Sequence, residues 1–345
     1  MSKQSTRFGI FADLHVDIMH DTEARLEQFL AACREENVDF IIQLGDFCYP
    51  DENRRCVCAP DKRPVNIENA LRVPTYADKA AILRLFRDFE KPSYHVLGNH
   101  DSDMCSKRDV LDFYGAGTKP YDSFDCGGFH FVVLDCNYYK VNGQYRSFEN
   151  GNYFDESYHD ERILPYCPPE ELAWLEKDLA GTTLPSVLFS HQALMERDYG
   201  ASILNAGEMK KILKNAPGGV VACVHGHEHL DYALQEDGIW FVSINAMSCM
   251  WVDAEFAVKG RYGAEIDEKY PNIQYTVPYR DAVYAIVTLD ETGCAICGTK
   301  SEFVGPTPEE MGFYQSDATD FNRKYRGEQR ITPCQQDRFL PFEKG

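Results

Sequence analysis

The stretch VHGHEH, residues 224–229, places a histidine at every second position. Side chains two residues apart on an extended chain point to the same side, so we expect these imidazoles to converge on one spot. The stretch continues the apolar run VVAC at residues 220–223, which indicates that the histidines lie at the end of a buried strand. They either stack in a polar cluster or hold a ligand.

Four other short apolar runs also end in groups that can bind a metal ion. RFGIFAD and VDFIIQLGD end in carboxylates, SYHVLGNHD ends in an amide, an imidazole and a carboxylate, and SVLFSH ends in an imidazole. Helical patterns at residues 22–36, 76–89 and 168–179 alternate with such runs, which is typical of an α/β architecture with largely parallel early strands. Because ligands of open α/β sheets bind beyond the carboxyl ends of strands, we expect these groups to meet in one crevice.

The donors at these strand ends suit a pair of metal ions. They comprise two carboxylates, one amide oxygen and four imidazoles: Asp13, Asp46, Asn99, His15, His191, His227 and His229. This set is too large for one tetrahedral zinc ion, but it fits two ions that share a carboxylate. Oxygen and nitrogen donors without a thiolate favour manganese, iron or zinc over calcium or magnesium.

The order of these motifs resembles that of the calcineurin-like metallophosphoesterases. That family carries D-x-H, G-D, G-N-H-[DE], H and G-H-x-H, and this chain has DLH, GD, GNHD, a lone histidine at a strand end, and GHEH in the same order. The resemblance covers residues 8 to about 245. It implies a four-layer α-β-β-α sandwich with two mixed β-sheets, and a dimetal site at the carboxyl edge of the sheets.

The resemblance also implies a role for each residue. Asp46 would bridge the two ions. The first ion would also bind Asp13, His15 and His229. The second ion would also bind Asn99, His191 and His227. His100 would lie next to the substrate, and Asp101 would orient His100.

The chemistry that this arrangement implies is hydrolysis of a small-molecule phosphoester, either a phosphodiester or a nucleotide-type diphosphate. Two neighbouring cations lower the pKa of a bridging water, so that metal-bound hydroxide attacks phosphorus and no side-chain nucleophile is needed. Protonated His100 would pass a proton to the departing oxygen.

Other functions also use this pattern. A Ser/Thr protein phosphatase or a phosphomonoesterase would have the same ligands, but the long insertions favour an enclosed pocket over an open groove. A non-catalytic interaction scaffold on the same fold would be expected to lack a ligand or His100, and this chain has all of them.

Two residues near the motifs have weaker signals. His225 has no fixed role in the family pattern, so we expect a structural role or a contact with the ligands. Tyr49 has the spacing of the tyrosinate that purple acid phosphatases use to bind iron. His15 would make that donor redundant, so we do not expect Tyr49 to bind metal.

Three other features lie outside the motifs. Cys294 and Cys297 have the spacing of a metal knuckle but lack a second pair, so we expect them to pack in a strand hairpin. Asn245 ends another strand and could contact the ligands. Basic side chains in a polar loop are expected to be solvated: Arg54, Arg55, Lys62, Arg63 and Arg72.

Length and charge restrict the possibilities further. The 345 residues predict one domain over 1–305, with loop insertions at 51–75, 137–169 and 250–280, and a C-terminal extension at 306–345 packed on it. A net charge of −20 disfavours nucleic acid and anionic lipid as partners, and no apolar run approaches the roughly 20 residues of a membrane span.

The thirteen cysteines have no regular spacing and no secretory signal is recognisable, which predicts a reducing, cytoplasmic location. The sequence makes no prediction of oligomeric state.

Overall fold

Two six-stranded sheets form the centre of the protein. The computed structural model describes residues 5–50, 56–58, 63–65, 74–152, 164–196, 201–252, 254–315 and 330–342. The strands are β1 (Ser5–Phe11), β2 (Phe40–Gln43), β3 (Cys56–Cys58), β4 (Arg63–Val65), β5 (Ser93–His95), β6 (Asp122–Cys126), β7 (Phe129–Val133), β8 (Tyr138–Val141), β9 (Gln144–Ser147), β10 (Ser186–Ser190), β11 (Val220–His225), β12 (Tyr232–Glu236), β13 (Ile239–Ser243), β14 (Cys249–Trp251), β15 (Thr276–Pro278), β16 (Ala285–Asp290), β17 (Gly293–Gly298) and β18 (Arg338–Pro341). The helices are α1 (Thr22–Glu35), α2 (Tyr76–Arg87), α3 (Lys107–Tyr114), α4 (Pro169–Ala180), α5 (Ala206–Lys214) and α6 (Ala264–Lys269).

Both sheets are mixed. The first has the order β18-β17-β16-β1-β2-β5, in which β1, β2 and β5 are parallel and the other neighbours are antiparallel. The second has the order β12-β13-β11-β10-β7-β6, in which the four central strands are parallel and each edge strand is antiparallel to its neighbour. Each apolar run that ends in a metal donor forms a parallel strand, as predicted: β1, β2, β5, β10 and β11.

Apolar side chains fill the space between the two sheets. Phe8 of β1 stacks on Phe40 of β2 at a centroid distance of 4.7 Å. Its edge contacts reach Phe131 and Phe189 of the second sheet, each at 5.8 Å. Successive residues of a strand face opposite sides, so Phe11, three residues after Phe8, faces away from the second sheet.

Helices cover the outer face of each sheet. Phe29 of α1 and Phe86 of α2 pack around Phe11, with ring centroids 4.9 and 5.7 Å away. Leu175 of α4 and Met209 of α5 belong to a separate core against the second sheet. The layers therefore follow the order helix, sheet, sheet, helix, and the predicted four-layer α-β-β-α sandwich is confirmed.

The three predicted helices form α1, α2 and α4, with ends within two residues of the predicted bounds. A capping box begins α2, because Thr75 Oγ1 accepts the N–H of Asp78 at 3.1 Å and Asp78 Oδ2 accepts the N–H of Thr75 at 2.8 Å. Within the described ranges, no helix combines the length and hydropathy required to cross a bilayer.

The insertions contain more regular structure than the expected loops. Hairpins β3–β4 and β8–β9 lie within 51–75 and 137–169. The segment 250–280 contains α6, β15 and all of β14 except its first residue, Cys249. The side chains of the basic residues at 54, 55, 62, 63 and 72 lie outside the described set. In the C-terminal extension, β18 joins the edge of the first sheet beside β17. The domain boundary near residue 305 stays a prediction.

Candidate metal centre

All of the predicted metal donors lie together beyond the carboxyl ends of the five parallel strands. Two groups of three have ligand atoms within 4.8 Å of one another. The first group is Asp13, His15 and His229. The second group is Asp46, His191 and His227. The amide oxygen of Asn99 lies 3.1 Å from Nε2 of His191, so it borders the second group.

Asp46 belongs to the second group and also approaches the first. Its Oδ2 is 3.2 Å from Nε2 of His191 in the second group and 3.9 Å from Nε2 of His15 in the first. Its Oδ1 accepts the N–H of His100 at 2.8 Å, which fixes the carboxylate plane. The carboxylate of Asp46 is therefore close to donors of both groups.

The backbone is left-handed at most of these donors. Positive φ angles occur at Asp13 (55°), His15 (52°), Asp46 (54°), His227 (67°) and His229 (51°). Such angles are uncommon outside glycine and cluster where function constrains the chain. The expectation that the histidines of VHGHEH point to one side of an extended strand is therefore wrong, because β11 ends at residue 225 and the left-handed turns that follow place His227 and His229 in different groups.

A glycine permits the close approach of two motifs. A Cβ atom on Gly98 would lie 2.1 Å from Oδ1 and 2.2 Å from the backbone nitrogen of Asp46. Both distances are far below van der Waals contact, so only glycine fits at this position of GNHD while Asp46 keeps its place.

Backbone carbonyls fix the orientation of two imidazoles. His229 Nδ1 donates to the carbonyl oxygen of Cys249 at 2.5 Å, and His191 Nδ1 donates to that of Leu44 at 2.7 Å. In a neutral ring the second nitrogen then has a lone pair, and here that nitrogen, Nε2, faces the carboxylates. This is the tautomer that a metal ion requires.

Burial and mutual charge shift the pKa values of the donors. Burial lowers the pKa of His15 to about 3, so this imidazole is neutral at physiological pH. Burial disfavours a charged Asp46, but the neighbouring His191 and His100 lower its pKa well below the usual range. Burial likewise disfavours a charged His191, but the Asp46 carboxylate raises its pKa to about 9. The centre thus contains ionised carboxylates among buried imidazoles.

The donor set fits metal ions. Ring nitrogens face one another, Nε2 of His15 and Nε2 of His229 at 3.4 Å and Nε2 of His191 and Nδ1 of His227 at 3.2 Å, distances that a shared cation would make favourable. Nε2 of His229 lies 3.2 Å from the buried Oδ1 of Asp13 and, with its Nδ1 proton given to Cys249, leaves this oxygen without a hydrogen-bond donor in the described part of the chain. Buried polar atoms are normally satisfied, so this atom is suited to a cation.

The partner of His100 differs from the prediction. His100 begins a short 3₁₀ turn (His100–Ser102), and its Nδ1 donates to Oδ2 of Asp103 at 2.9 Å, not to Asp101. Residues three apart are eclipsed in a 3₁₀ turn, which brings the Asp103 carboxylate beneath the imidazole. Burial opposes a charged imidazole, but Asp103 and then Asp46 raise the pKa of His100 to about 9.

Asp101 instead fastens the two loops of the centre. Its carboxylate accepts N–H groups of Gly98, Phe47 and Cys48 at 2.7, 2.9 and 3.0 Å. It also accepts the hydroxyl of Tyr114 at 3.1 Å. The side chain of Asp101 therefore holds the loop that follows β2 against the GNHD loop.

Two side chains at the centre, Asp103 and Trp251, lie outside the five motifs. Asp103 is marked only by its position three residues after His100. Trp251 reaches the centre from the β14–β15 ladder, and its Nε1 lies 3.4 Å from Nε2 of His15. No local motif marks a residue that a distant ladder carries to the site.

The weaker candidates lie outside the two groups. His225 is buried, with Nε2 3.0 Å from the hydroxyl of Tyr232. The ring of Tyr49 faces the ammonium of Lys79, which lies 3.8 Å from its centroid.

Two further predictions outside the motifs can be placed in the fold. Asn245 anchors the C-terminal segment, donating from Nδ2 to the carbonyl oxygens of Thr332 and Cys334 at 2.7 and 3.0 Å. Cys294 and Cys297 lie in the β16–β17 hairpin, as predicted, and Cys294 is buried in the core between the sheets.

Comparisons with known proteins agree with this geometry. A model of the calcineurin-like phosphoesterase family matches residues 6–231. No curated protein matched the sequence. Among solved structures, a dimetal phosphatase from Danio rerio has a TM-score of 0.57 and 15% identity, covering 88% of this chain and 99% of that chain. The structure of PhoD has a TM-score of 0.50 and 14% identity, covering 88% of this chain and 72% of that chain.

The two structural likenesses support the fold, and the family match carries the assignment. That match spans most of the chain and includes every predicted metal donor, from Asp13 to His229. This chain belongs to the calcineurin-like phosphoesterase family and is a metal-dependent phosphoester hydrolase.

Proposed function

We propose that this protein hydrolyses a small-molecule phosphoester, either a phosphodiester or a nucleotide-type diphosphate, with two bound ions of manganese, iron or zinc. The observation that carries the proposal is the pair of three-residue groups, each with ligand atoms within 4.8 Å of one another, in which Asp46 of the second group also lies 3.9 Å from His15 of the first. A bridging carboxylate between two sets of imidazole and oxygen donors is the arrangement that a binuclear site requires.

The two ions would divide the donors according to the two groups. Asp46 would serve both ions. The first ion would bind Asp13, His15 and His229. The second ion would bind Asn99, His191 and His227. Such a pair of ions supplies Lewis acidity toward the phosphoryl group and lowers the pKa of water at the site.

His100 supplies the proton that the leaving oxygen needs. Its Nδ1 is held by Asp103 at 2.9 Å, which fixes the ring plane and leaves Nε2 as the nitrogen for proton transfer. About 30% of the His100 side chain is exposed, whereas the side chain of His15 is buried. His100 therefore lies where a substrate would enter.

Composition supports a small substrate over macromolecular partners. The net charge of −20 opposes binding to nucleic acid and to anionic membranes. The eleven cysteines whose side chains are described are free thiols, which supports the proposed cytoplasmic location: Cys33, Cys48, Cys105, Cys126, Cys136, Cys167, Cys223, Cys249, Cys294, Cys297 and Cys334.

The test is hydrolysis of bis(4-nitrophenyl) phosphate by purified protein loaded with manganese. His100→Ala should lower kcat on the order of 10²-fold for an alkyl phosphodiester, the usual contribution of a positioned proton donor, and much less for bis(4-nitrophenyl) phosphate, while the bound metal stays unchanged. His130→Ala is the matched control. His130 lies near the amino end of β7, whereas the metal centre lies at the carboxyl ends of the strands, and its two ring nitrogens contact Asp125 and Asp178. Loss of metal from His100→Ala without loss of rate would overturn the assignment.

A screen of phosphoesters identifies the class of substrate. Cyclic nucleotides, glycerophosphodiesters, nucleotide diphosphates, mononucleotides and a phosphopeptide should each be offered with manganese, zinc or iron. We expect turnover of a diester or a diphosphate. Faster turnover of the phosphopeptide would favour a protein phosphatase, and faster turnover of a mononucleotide would favour a phosphomonoesterase.

A further inference from the structure

The indole of Trp251 forms one wall of the candidate metal centre. Trp251 ends β14, whose first residue, Cys249, accepts the Nδ1 proton of His229. Its ring stands perpendicular to that of His15, at a centroid distance of 5.5 Å, and lies 6.1 Å from that of His100 with a tilt of 32°. The β14–β15 ladder therefore carries this indole to the first group of donors and to the proposed proton donor.

Trp251 is the part of β14 that solvent reaches. Cys249 and Met250 are buried, whereas Trp251 is half-buried, beside the partly exposed His100. Both rings lie next to that of the buried donor His15, the indole at a centroid distance of 5.5 Å and the His100 imidazole at 5.7 Å. A substrate that approaches the donors next to His100 therefore meets the indole as well.

The N–H of the indole points into the donor group. Its acceptor is Nε2 of His15, and the same Nε2 lies 3.4 Å from Nε2 of His229 and 3.9 Å from Oδ1 of Asp13. An indole nitrogen only donates, and the single lone pair of a neutral imidazole serves either a metal ion or a hydrogen bond. If His15 binds metal, the indole N–H needs another acceptor at this position.

We propose that Trp251 binds a non-bridging oxygen of the phosphoryl group through its Nε1–H. This inference rests on the proposed function, since His15 must give its lone pair to a metal ion. The indole and His100 then face the same anion from two sides. Trp251 is thus a substrate-binding residue that lies outside the family motifs.

The test is the binding of inorganic phosphate to protein loaded with manganese, measured by titration calorimetry together with metal content. Trp251→Phe keeps an aromatic ring and removes the N–H. A hydrogen bond to a charged group contributes enough that its loss should weaken phosphate binding about tenfold, with metal content unchanged. Trp174→Phe is the matched control, because Trp174 packs on Tyr121, 4.7 Å between ring centroids, and should leave phosphate binding unchanged.

Each outcome decides the inference. Phosphate binding that is equally tight in Trp251→Phe and in the parent overturns it. A loss of metal from Trp251→Phe also overturns it, because the indole would then act only by orienting His15. If the parent hydrolyses bis(4-nitrophenyl) phosphate while either result is seen, only the role of Trp251 is wrong. If the loaded parent hydrolyses none of the phosphoesters offered, the proposed function is wrong as well.

Discussion

Nδ1 of His100 lies 2.9 Å from Oδ2 of Asp103, within one turn of the GNHD loop. The intervening Asp101 points the other way and accepts backbone N–H groups from the loop that follows β2. Two neighbouring carboxylates therefore have separate tasks. Asp103 orients the proposed proton donor, and Asp101 holds the loop that positions Asp46.

Asp103→Asn should weaken proton donation by His100. An alkyl leaving group needs a proton in the transition state more than an activated phenol does, so the variant should lower kcat on the order of 10²-fold for an alkyl phosphodiester. We expect a much smaller effect on bis(4-nitrophenyl) phosphate. The measurement is kcat for both esters with manganese present.

The matched variant for this experiment is Asp101→Asn. It should lower thermal stability and metal content and affect both esters alike, because Asp101 contacts the loops and not the imidazole of His100. Equal losses on the two esters in Asp103→Asn would contradict the role given to Asp103.

Gly98→Ala should displace Asp46. The new methyl group would lie 2.1 Å from Asp46 Oδ1, so the bridging carboxylate has to move and metal content should fall from two equivalents toward one or none. Gly207→Ala in α5 is the control, since its new methyl group would meet nothing within 4 Å outside its own stretch of helix, and helix propensity predicts a gain of about 0.5–1 kcal/mol. Elemental analysis distinguishes the two. A full complement of metal in Gly98→Ala would show that this close contact does not matter.

Lys79→Met should destabilise the fold by about 3–5 kcal/mol, because it leaves a buried carboxylate without its partner. Lys79 and Asp17 are buried and form an ion pair, and Lys79 Nζ also donates to the carbonyl oxygen of Tyr49 at 2.8 Å. Denaturant titration gives the free energy of unfolding.

Two comparisons test that interpretation. Adding Asp17→Leu to Lys79→Met should recover most of the loss, since the uncompensated charge is then gone. Arg34→Met breaks an exposed pair with Glu90 and should change stability by less than about 1 kcal/mol. Similar losses in Lys79→Met and Arg34→Met would argue against a cost from the buried charge.

His95 should make stability depend on pH in the acid range. Burial, and then the charge of Arg87, lower its pKa in the native state to about 3 from a usual value of 6.5. Between these values the unfolded chain binds a proton that the native state excludes. The contribution of His95 to the free energy of unfolding is therefore fully present above about pH 6.5. It is lost as the pH falls toward 3, by up to about 1.4 kcal/mol per pH unit.

His95→Phe removes the group that binds this proton. Between pH 6 and 4, the slope of the free energy of unfolding against pH should therefore be smaller in the variant by the contribution of about one proton, which is about 1.4 kcal/mol per pH unit. Urea titrations at several pH values measure the slope. An unchanged slope would mean that His95 is already charged in the native protein.

Strand ends were predictable because they depend on local patterns. The apolar runs are buried on both faces, so their hydrophobicity is nearly continuous, and the polar residue that ends each run marks the carboxyl edge. Asp13, Asp46 and His191 follow β1, β2 and β10 as expected. Parallel pairing then brought them together.

Backbone detail and long-range pairing were not predictable in this way. Left-handed turns at His227 and His229 replace the expected extended chain, because the conformation of these residues is imposed by the site and not by their own propensity. The 3₁₀ turn at His100–Ser102 brings Asp103, and not Asp101, into contact with the imidazole of His100. The four-residue edge strand β18 is too short to show a periodic pattern, and the position of Trp251 depends on a ladder to residues 276–278.

The most direct test of the account is the number of metal ions that the intact protein holds. Protein stripped of metal, reloaded with manganese and freed of excess should contain two equivalents by elemental analysis, because there are two donor groups and Asp46 lies close to both. His229→Ala and His227→Ala should each lose metal from the group to which that histidine belongs. A parent protein that holds no more than one equivalent would contradict the binuclear centre and the chemistry derived from it.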